Sequence, residues 1–318
     1  MLRPLSSTRL SLRARQCHRC RPYATDAATP AHVAALDDWI ASEKKLILSD
    51  TLREEHLANL YVTLPTRDGT QKPYTAPRQG DNLGYGHHLV FFHPRNPESK
   101  LRADGTDADF CPPEPFTRRM WAGGEIKWHK PLRIGDRANS ISTIGSVQKK
   151  GFEKGKPMVF VNQNIKYFKA GDTDASVEET RSHVYLSSPG NDRGIREVSD
   201  LPKSEFSFSY TPTPTTLFRF SALTFNGHYI HLDRDYAQKS EGYPERLVHG
   251  PLTALMLLET VVFHKPGAEL KSLQYRARNP LVLNQKITMH GAWENERKAH
   301  VWAEGEGGVV GMTGVVSL

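Results

Sequence analysis

The stretch PLTALMLLETVVF, Pro251 to Phe263, constrains this chain more than any other. Wound as a helix, it carries apolar residues almost all the way round, so nearly every face must be covered. A helix of this kind cannot lie on a surface; other elements must enclose it. Pro251 suits the first turn, where a missing N–H costs nothing, and Gly250 suits the entry. Lys265-Pro266-Gly267 then marks the stop.

The covering material lies close by in the sequence. Glu269 to Ala277, Lys286 to Trp293, Lys298 to Glu304 and Val309 to Val316 read as strands. Upstream, Phe206, Phe208 and Tyr210 alternate as another strand, and Pro214 to Leu223 has helical spacing. A strand, one buried helix and then four strands predict an antiparallel sheet wrapped around that helix. This is an α+β arrangement rather than alternating βαβ, and a hot-dog fold satisfies it.

The first half carries a similar run of strands: Gly124 to Trp128, Ala138 to Val147, Met158 to Phe168 and Thr180 to Leu186. Before them, Val33, Leu36, Ile40, Leu46, Ile47 and Leu48 predict one opening helix. Leu64 to Pro115 reads as long loops around a short helix or strand at His88 to Phe92. No central helix comparable to Pro251–Phe263 stands out. The expectation is a double hot-dog whose first module is degenerate, residues 24–190, followed by a second, residues 200–318. Ser187 to Lys203, rich in Pro, Gly, Asn and Asp, is the expected linker.

Charge needs one subtraction before it says anything. The 318 residues carry a formal charge of +7, which invites a nucleic-acid or membrane-surface partner. Residues 1–23 hold six arginines and no acid, and without them the balance is 36 basic against 35 acidic. An Arg- and Ser-rich, acid-free start has the pattern of an organellar transit peptide. Arg21-Pro22-Tyr23-Ala24 resembles a mitochondrial processing site, which places the mature start near Ala24 in the mitochondrial matrix. Cys17 and Cys20 leave with that segment, and Cys111 alone cannot form an intramolecular disulfide. No apolar run approaches the about 20 residues needed to span a bilayer. Nucleic acid and a membrane span are therefore not expected.

Candidate chemistry concentrates in Phe225-Asn226-Gly227-His228-Tyr229-Ile230-His231-Leu232-Asp233 and in Leu247-Val248-His249-Gly250. Three histidines, His228, His231 and His249, thus stand beside the entry to the buried helix. Abstraction of a proton next to a carbonyl needs a base, and also N–H groups that stabilise the developing oxyanion. A buried helix N-terminus supplies the second part, because its first N–H groups lack intrahelical partners. Gly250 leaves room for a carbonyl to approach. A zinc site from the three histidines lacks an acid or thiol to complete it, so no metal and no cofactor is expected. Asp233 either orients His231 or caps a short helix from Asp233 to Gln238. Lys149, Lys150, Lys154 and Lys156 read as a solvated hairpin that could also meet an acidic carrier protein.

The segment resembles the motif of MaoC-like, R-specific hydratases and dehydratases, in which an Asp and a His are spaced as Asp-x-x-x-x-His. Asn226 and His231 have that spacing, and His249-Gly250 before the apolar helix matches as well. Met120-Trp121-Ala122-Gly123-Gly124, with Leu132-x-x-Gly135-Asp136, resembles the first module of tandem members. These include mitochondrial 3-hydroxyacyl-thioester dehydratases and mesaconyl-CoA hydratase-like proteins.

The resemblance implies His231 and position 226 as catalytic residues, with Gly250, His249 and His228 binding the oxyanion or substrate. It implies an acyl thioester of phosphopantetheine as substrate, on acyl carrier protein or coenzyme A, and a homodimer is compatible with it. The expected activity is (3R)-3-hydroxyacyl-thioester dehydration in mitochondrial fatty-acid synthesis. The alternatives are a mesaconyl-type dicarboxylic hydratase, favoured by basic side chains near the acyl pocket, and a non-catalytic thioester-binding protein. Asn226 is the departure: an amide neither takes nor gives a proton at neutral pH. It can hold a water or hydroxyl while His231 carries both proton transfers.

Overall fold

The computed structural model describes residues 28–187 and 194–318. The expected transit peptide, with Cys17 and Cys20, lies outside the described residues, as do residues 188–193 of the expected linker. In chain order the elements are α1 (Pro30–Ala41), β1 (Lys45–Thr51), α2 (Glu54–Tyr61), β2 (Arg118–Trp128), β3 (Arg137–Lys150), β4 (Met158–Lys169) and β5 (Val177–Leu186). The second half follows with β6 (Phe206–Tyr210), α3 (Pro214–Leu223), α4 (Tyr229–Leu232), α5 (Gly250–His264), β7 (Ser272–Ala277), β8 (Ile287–Asn295), β9 (Lys298–Glu304) and β10 (Val310–Ser317).

The strands form one ten-stranded antiparallel sheet in the order β1-β3-β4-β5-β2-β7-β10-β9-β8-β6. Read outward from the centre, each half has the same arrangement: second strand, fifth, fourth, third, first. That shared order carries the duplication, which no sequence repeat displays, and the fold is a double hot-dog. The halves join through β2 and β7, where Gly123 to Lys127 pair with Arg276 to Ser272. A bulge falls at this point in β2, between Trp121 and Gly123. Gly123 has φ +153°, and a Cβ there would lie 2.5 Å from the Tyr275 carbonyl oxygen, so the crossing needs glycine.

The halves differ in what fills the span between their first and second strands. The second half inserts α5, which packs on all five of its strands. Leu255, Met256, Leu257, Leu258 and Val261 are fully buried there. The first half inserts only α2 and short 3-10 turns at His87–Val90 and Glu98–Lys100. Gly86, with φ +81°, brings the first of these turns against α5, and a Cβ on it would lie 2.9 Å from Leu258 Cδ1. One long helix therefore serves both halves.

One expectation changes, and one element is new. Leu46, Ile47 and Leu48 belong to strand β1 rather than to the opening helix. α1 ends at Ala41, and in β1 Leu46 and Leu48 face inward while Ile47 is exposed, a period of two. The new element is α2, in the Leu52–Tyr61 segment, which also supplies core residues Leu57 and Leu60. Among the described residues no helix is long and apolar enough to cross a membrane.

The single acid of α5, Glu259, is buried and faces the first half. It accepts hydrogen bonds from Arg67 Nε at 2.6 Å and Thr66 Oγ1 at 3.0 Å, and meets His87 Nε2 at 2.8 Å. Burial by itself would raise the Glu259 carboxyl, but Arg67 and His87 outweigh it and hold it down to about 2. A carboxyl depressed in the folded state stabilises the fold above its ordinary value of 4.5 and loses that contribution as pH falls toward 2. Glu259→Ala, which strands Arg67 and His87, should cost about 3 kcal/mol in urea unfolding at pH 7. The variant should also show a shallower loss of stability than wild type between pH 4.5 and 2.

Candidate active site

His231 is the third residue of α4, a single turn in a segment held from both sides. Its Nδ1 lies 2.8 Å from the Leu247 carbonyl oxygen. A carbonyl only accepts, so Nδ1 carries the proton and Nε2 keeps its lone pair. Leu247 is itself positioned by a bridge to Val282, and Val248 N–H donates to Leu281 O at 2.8 Å. Against the other face of the ring, His249 stacks with centroids 3.7 Å apart and planes 22° from parallel. Two contacts thus fix the plane of the imidazole and its tautomer.

Burial lowers the His231 pKa to about 4, aided by the nearby Arg119 cation and opposed by the Leu247 hydrogen bond. His231 is therefore a neutral base across the physiological range. His249 and His228 are pushed well below the usual histidine range by burial, then by the neighbouring histidine charges.

His249 is the N-cap of α5, with Gly250 first in the helix and Pro251 next. The Gly250 and Leu252 N–H groups belong to the first turn, which has no intrahelical acceptors to offer them. His249 Nε2 lies 2.9 Å from Ser221 Oγ, which anchors the cap to α3. A Cβ on Gly250 would lie 3.0 Å from the Trp121 ring, so this glycine packs β2 directly against the start of the helix. The site therefore takes His231 and Gly250 from the second half and Trp121 from the first.

Asn226 lies on the same wall, and its Oδ1 accepts the His228 N–H at 3.1 Å, closing an Asx-type turn. Its amide Nδ2–H remains the group that can face a ligand. His228 is buried edge-on to His231, with centroids 5.5 Å apart. Its Nε2 is 3.9 Å from Asp104 Oδ2, in a loop of the first half that docks through Tyr229 N–H onto Asp104 O at 2.9 Å. The three histidines meet ring against ring, and among the described residues no three His, Cys, Asp or Glu side chains are arranged to share a metal ion. Asp233 accepts the Tyr236 N–H at 2.9 Å and so caps the helical turn begun by Arg234, which runs on into the π-helical turn Tyr236–Ser240.

His231, His249, Gly250, Asn226 and His228 all line one cleft of ≈ 1750 Å³ that runs between the two halves. Sequence reasoning missed Ser221, Asp104 and Arg119. Asp104 and Arg119 come from the first half, more than a hundred residues from His231, and only folding brings them there. Arg119 lines the cleft beside Tyr185, Cys111 and Asp104. Its neighbour Arg118 instead pairs with Glu241.

The double hot-dog fold defines a class of proteins, and the comparisons place the chain in one family of it. The chain belongs to the hydroxyacyl-thioester dehydratase type 2 family, whose model matches residues 86–283. It is 35% identical to mesaconyl-C(4)-CoA hydratase of Chloroflexus aurantiacus, over 78% of this chain and 88% of that protein. It is 28% identical to the mitochondrial hydroxyacyl-thioester dehydratase type 2 of Schizosaccharomyces pombe, over 76% of this chain and 88% of the relative. Among solved structures, a MaoC-like dehydratase from Phytophthora capsici superposes with a TM-score of 0.64 at 14% identity, covering 88% of this chain and 98% of that one. A double-hotdog protein of Mycobacterium tuberculosis superposes with a TM-score of 0.54 at 13% identity, covering 89% and 98%.

A base depressed to about 4 predicts a particular pH profile for any reaction it serves. The kcat/KM of wild type should stay flat from pH 8 to about 5 and fall only as His231 protonates near 4. An acid limb between pH 6 and 7 would show that the working base is not a desolvated His231.

Proposed function

We propose that this protein adds water to, and removes it from, the C2–C3 bond of an acyl thioester. The observation that carries this reading is that a neutral His231 and the first turn of α5, whose N–H groups have no intrahelical acceptors, line one cleft. In the elimination direction the thioester carbonyl sits on the Gly250 N–H, where partial positive charge stabilises the enolate oxygen as it forms. His231 Nε2 removes the C2 proton and becomes imidazolium. The C3–O bond then breaks, the same proton passes from His231 to the departing hydroxyl, and the trans-2-enoyl thioester and water result.

Both groups leave from one face, so a single base suffices. Asn226 transfers no proton; with its Oδ1 committed to the turn, its Nδ2–H is placed to hold the hydroxyl or water. His249 acts through His231, as a positioning residue, and His228 buttresses the ring from its edge.

The leading substrate is a (3R)-3-hydroxyacyl thioester, acted on in the mitochondrial matrix as part of fatty-acid synthesis. The family model, the mitochondrial relatives and the acid-free, arginine-rich first 23 residues support it. A second reading, a dicarboxylic thioester of the mesaconyl type, is favoured by Arg119. That guanidinium lines the cleft near His231, beside the Tyr185 phenol and Asp104, and a substrate carboxylate would add a further partner to it. The relative at 35% identity bears such a substrate in its name.

The test offers mature protein crotonyl, long-chain enoyl and mesaconyl thioesters and follows loss of enoyl absorbance. His231→Ala should lower kcat by about three orders of magnitude while the fold is kept. Near-normal turnover in that variant would sink the assignment, and binding without turnover by wild type on all three would point to a non-catalytic protein. Arg119→Met should cost about tenfold or more in kcat/KM on mesaconyl thioester alone if the dicarboxylic reading holds. Equal effects on crotonyl thioester would reject that reading.

A further inference from the structure

Beyond the catalytic wall, the cleft continues to the opposite face of the sheet. β2 and β7 stay paired from Lys127–Ser272 only as far as Gly123–Arg276. Past the bulge, β2 runs on beside β5 alone, while β7 continues to Ala277 beside β10. The strands part there, and residues of both edges line the same cleft as His231 and Gly250. The β2–β7 ladder thus opens beside the foot of α5, where Trp121 of β2 packs on Gly250.

At the outer rim of this opening stand three arginines. Leu273 and Tyr275 point into the core, so Arg276 and Arg278, on the alternate positions, lie on the outer face. Arg196 is brought beside them by residues 194–201, which cross that face as an extended strap. Its backbone N–H donates to Asn279 Oδ1 at 2.8 Å, and Asn279 Nδ2 donates back to Arg196 O at 2.9 Å. Val198 and Leu201 hold the strap down on Ala292, Trp302 and Val310.

Arg278 Nε donates to Thr313 Oγ1 at 3.1 Å, and none of the three arginines forms an ion pair among the described residues. Partial burial, then the Arg276 and Arg196 charges, lower the Arg278 pKa, so the three cations feel one another. Glu197 and Asp200 ride on the same strap, exposed, without pairing with any of them. Three like charges gathered at a cleft mouth, without an ion-pair partner among the described residues, suit a polyanion.

This inference rests on the thioester reading, because it concerns the other end of the same substrate. A pantetheine arm is a narrow chain with sulfur at one end and phosphate at the other, and the opening separates two sites of that chemistry. We propose that Arg196, Arg276 and Arg278 hold the nucleotide phosphates of a coenzyme A thioester, whose pantetheine arm threads between β2 and β7 to reach His231. The number of cations favours coenzyme A, which carries a diphosphate and a further phosphate. A carrier-protein arm offers a single phosphodiester.

The experiment compares wild type with the triple variant Arg196→Ala, Arg276→Ala, Arg278→Ala on one enoyl group carried in three ways. On coenzyme A the KM should rise about tenfold or more with kcat kept. On N-acetylcysteamine, which has no phosphate, kcat/KM should stay within about twofold. On acyl carrier protein the loss should be smaller than on coenzyme A. An unchanged KM on coenzyme A, an equal loss on N-acetylcysteamine, or a larger loss on the carrier protein would each overturn the proposal. Wild type inactive on every thioester would be a failure of the functional reading instead. The cluster is then decided by calorimetry with free coenzyme A: binding lost in the triple variant supports it, and equal binding overturns it.

Discussion

Everything in this fold depends on enclosing α5. A helix with apolar side chains on almost every face gains stability only when every side is covered. Its own half covers it with five strands, and the first half covers the remainder with the turn after Gly86 and the Thr66–Arg67 loop. The one acid in the helix points to that second cover and is neutralised there by Arg67 and His87. The two halves are consequently not independent units sharing a linker. They meet along β2 and β7 and also through a single shared helix.

Enclosure also decides where chemistry can occur. A helix buried along its length still ends, and the amides of its first turn have to face something other than the core. Here they face a cleft between the halves, beside an imidazole that burial keeps uncharged. The same desolvation that makes His231 a neutral base strengthens whatever charge stabilisation Gly250 provides. Asn226 fits this picture without acting as an acid, because its carbonyl holds the turn that presents the histidines. The first half, lacking a long helix of its own, leaves room for a large cleft and contributes Trp121 and Arg119 to its walls.

The charge of the chain is informative only by location. The excess on the whole sequence belongs to residues 1–23, and the remaining residues are close to neutral overall. Within the folded part, Arg119 lines the cleft near the buried histidines, and Arg196, Arg276 and Arg278 gather at its outer mouth. Such local concentrations matter for an anionic substrate far more than the sum does.

Much of this was legible in the sequence, for local physical reasons. Alternation marked the strands, all-round apolarity marked α5, and Gly250-Pro251 marked where that helix begins. The Asn226–His231–Gly250 spacing pointed to residues that line one cleft, since all three lie within one stretch of chain. Leu46 to Leu48 misled because three apolar residues in a row fit either period, and only pairing with β3 made them a strand. Tertiary structure alone decided the rest. The common strand order of the two halves, the stacking of His249 on His231, the reach of Asp104 and Arg119, and the parting of β2 from β7 all join residues far apart in the chain. Local propensity cannot encode them, because they exist only once the sheet has closed around its helix.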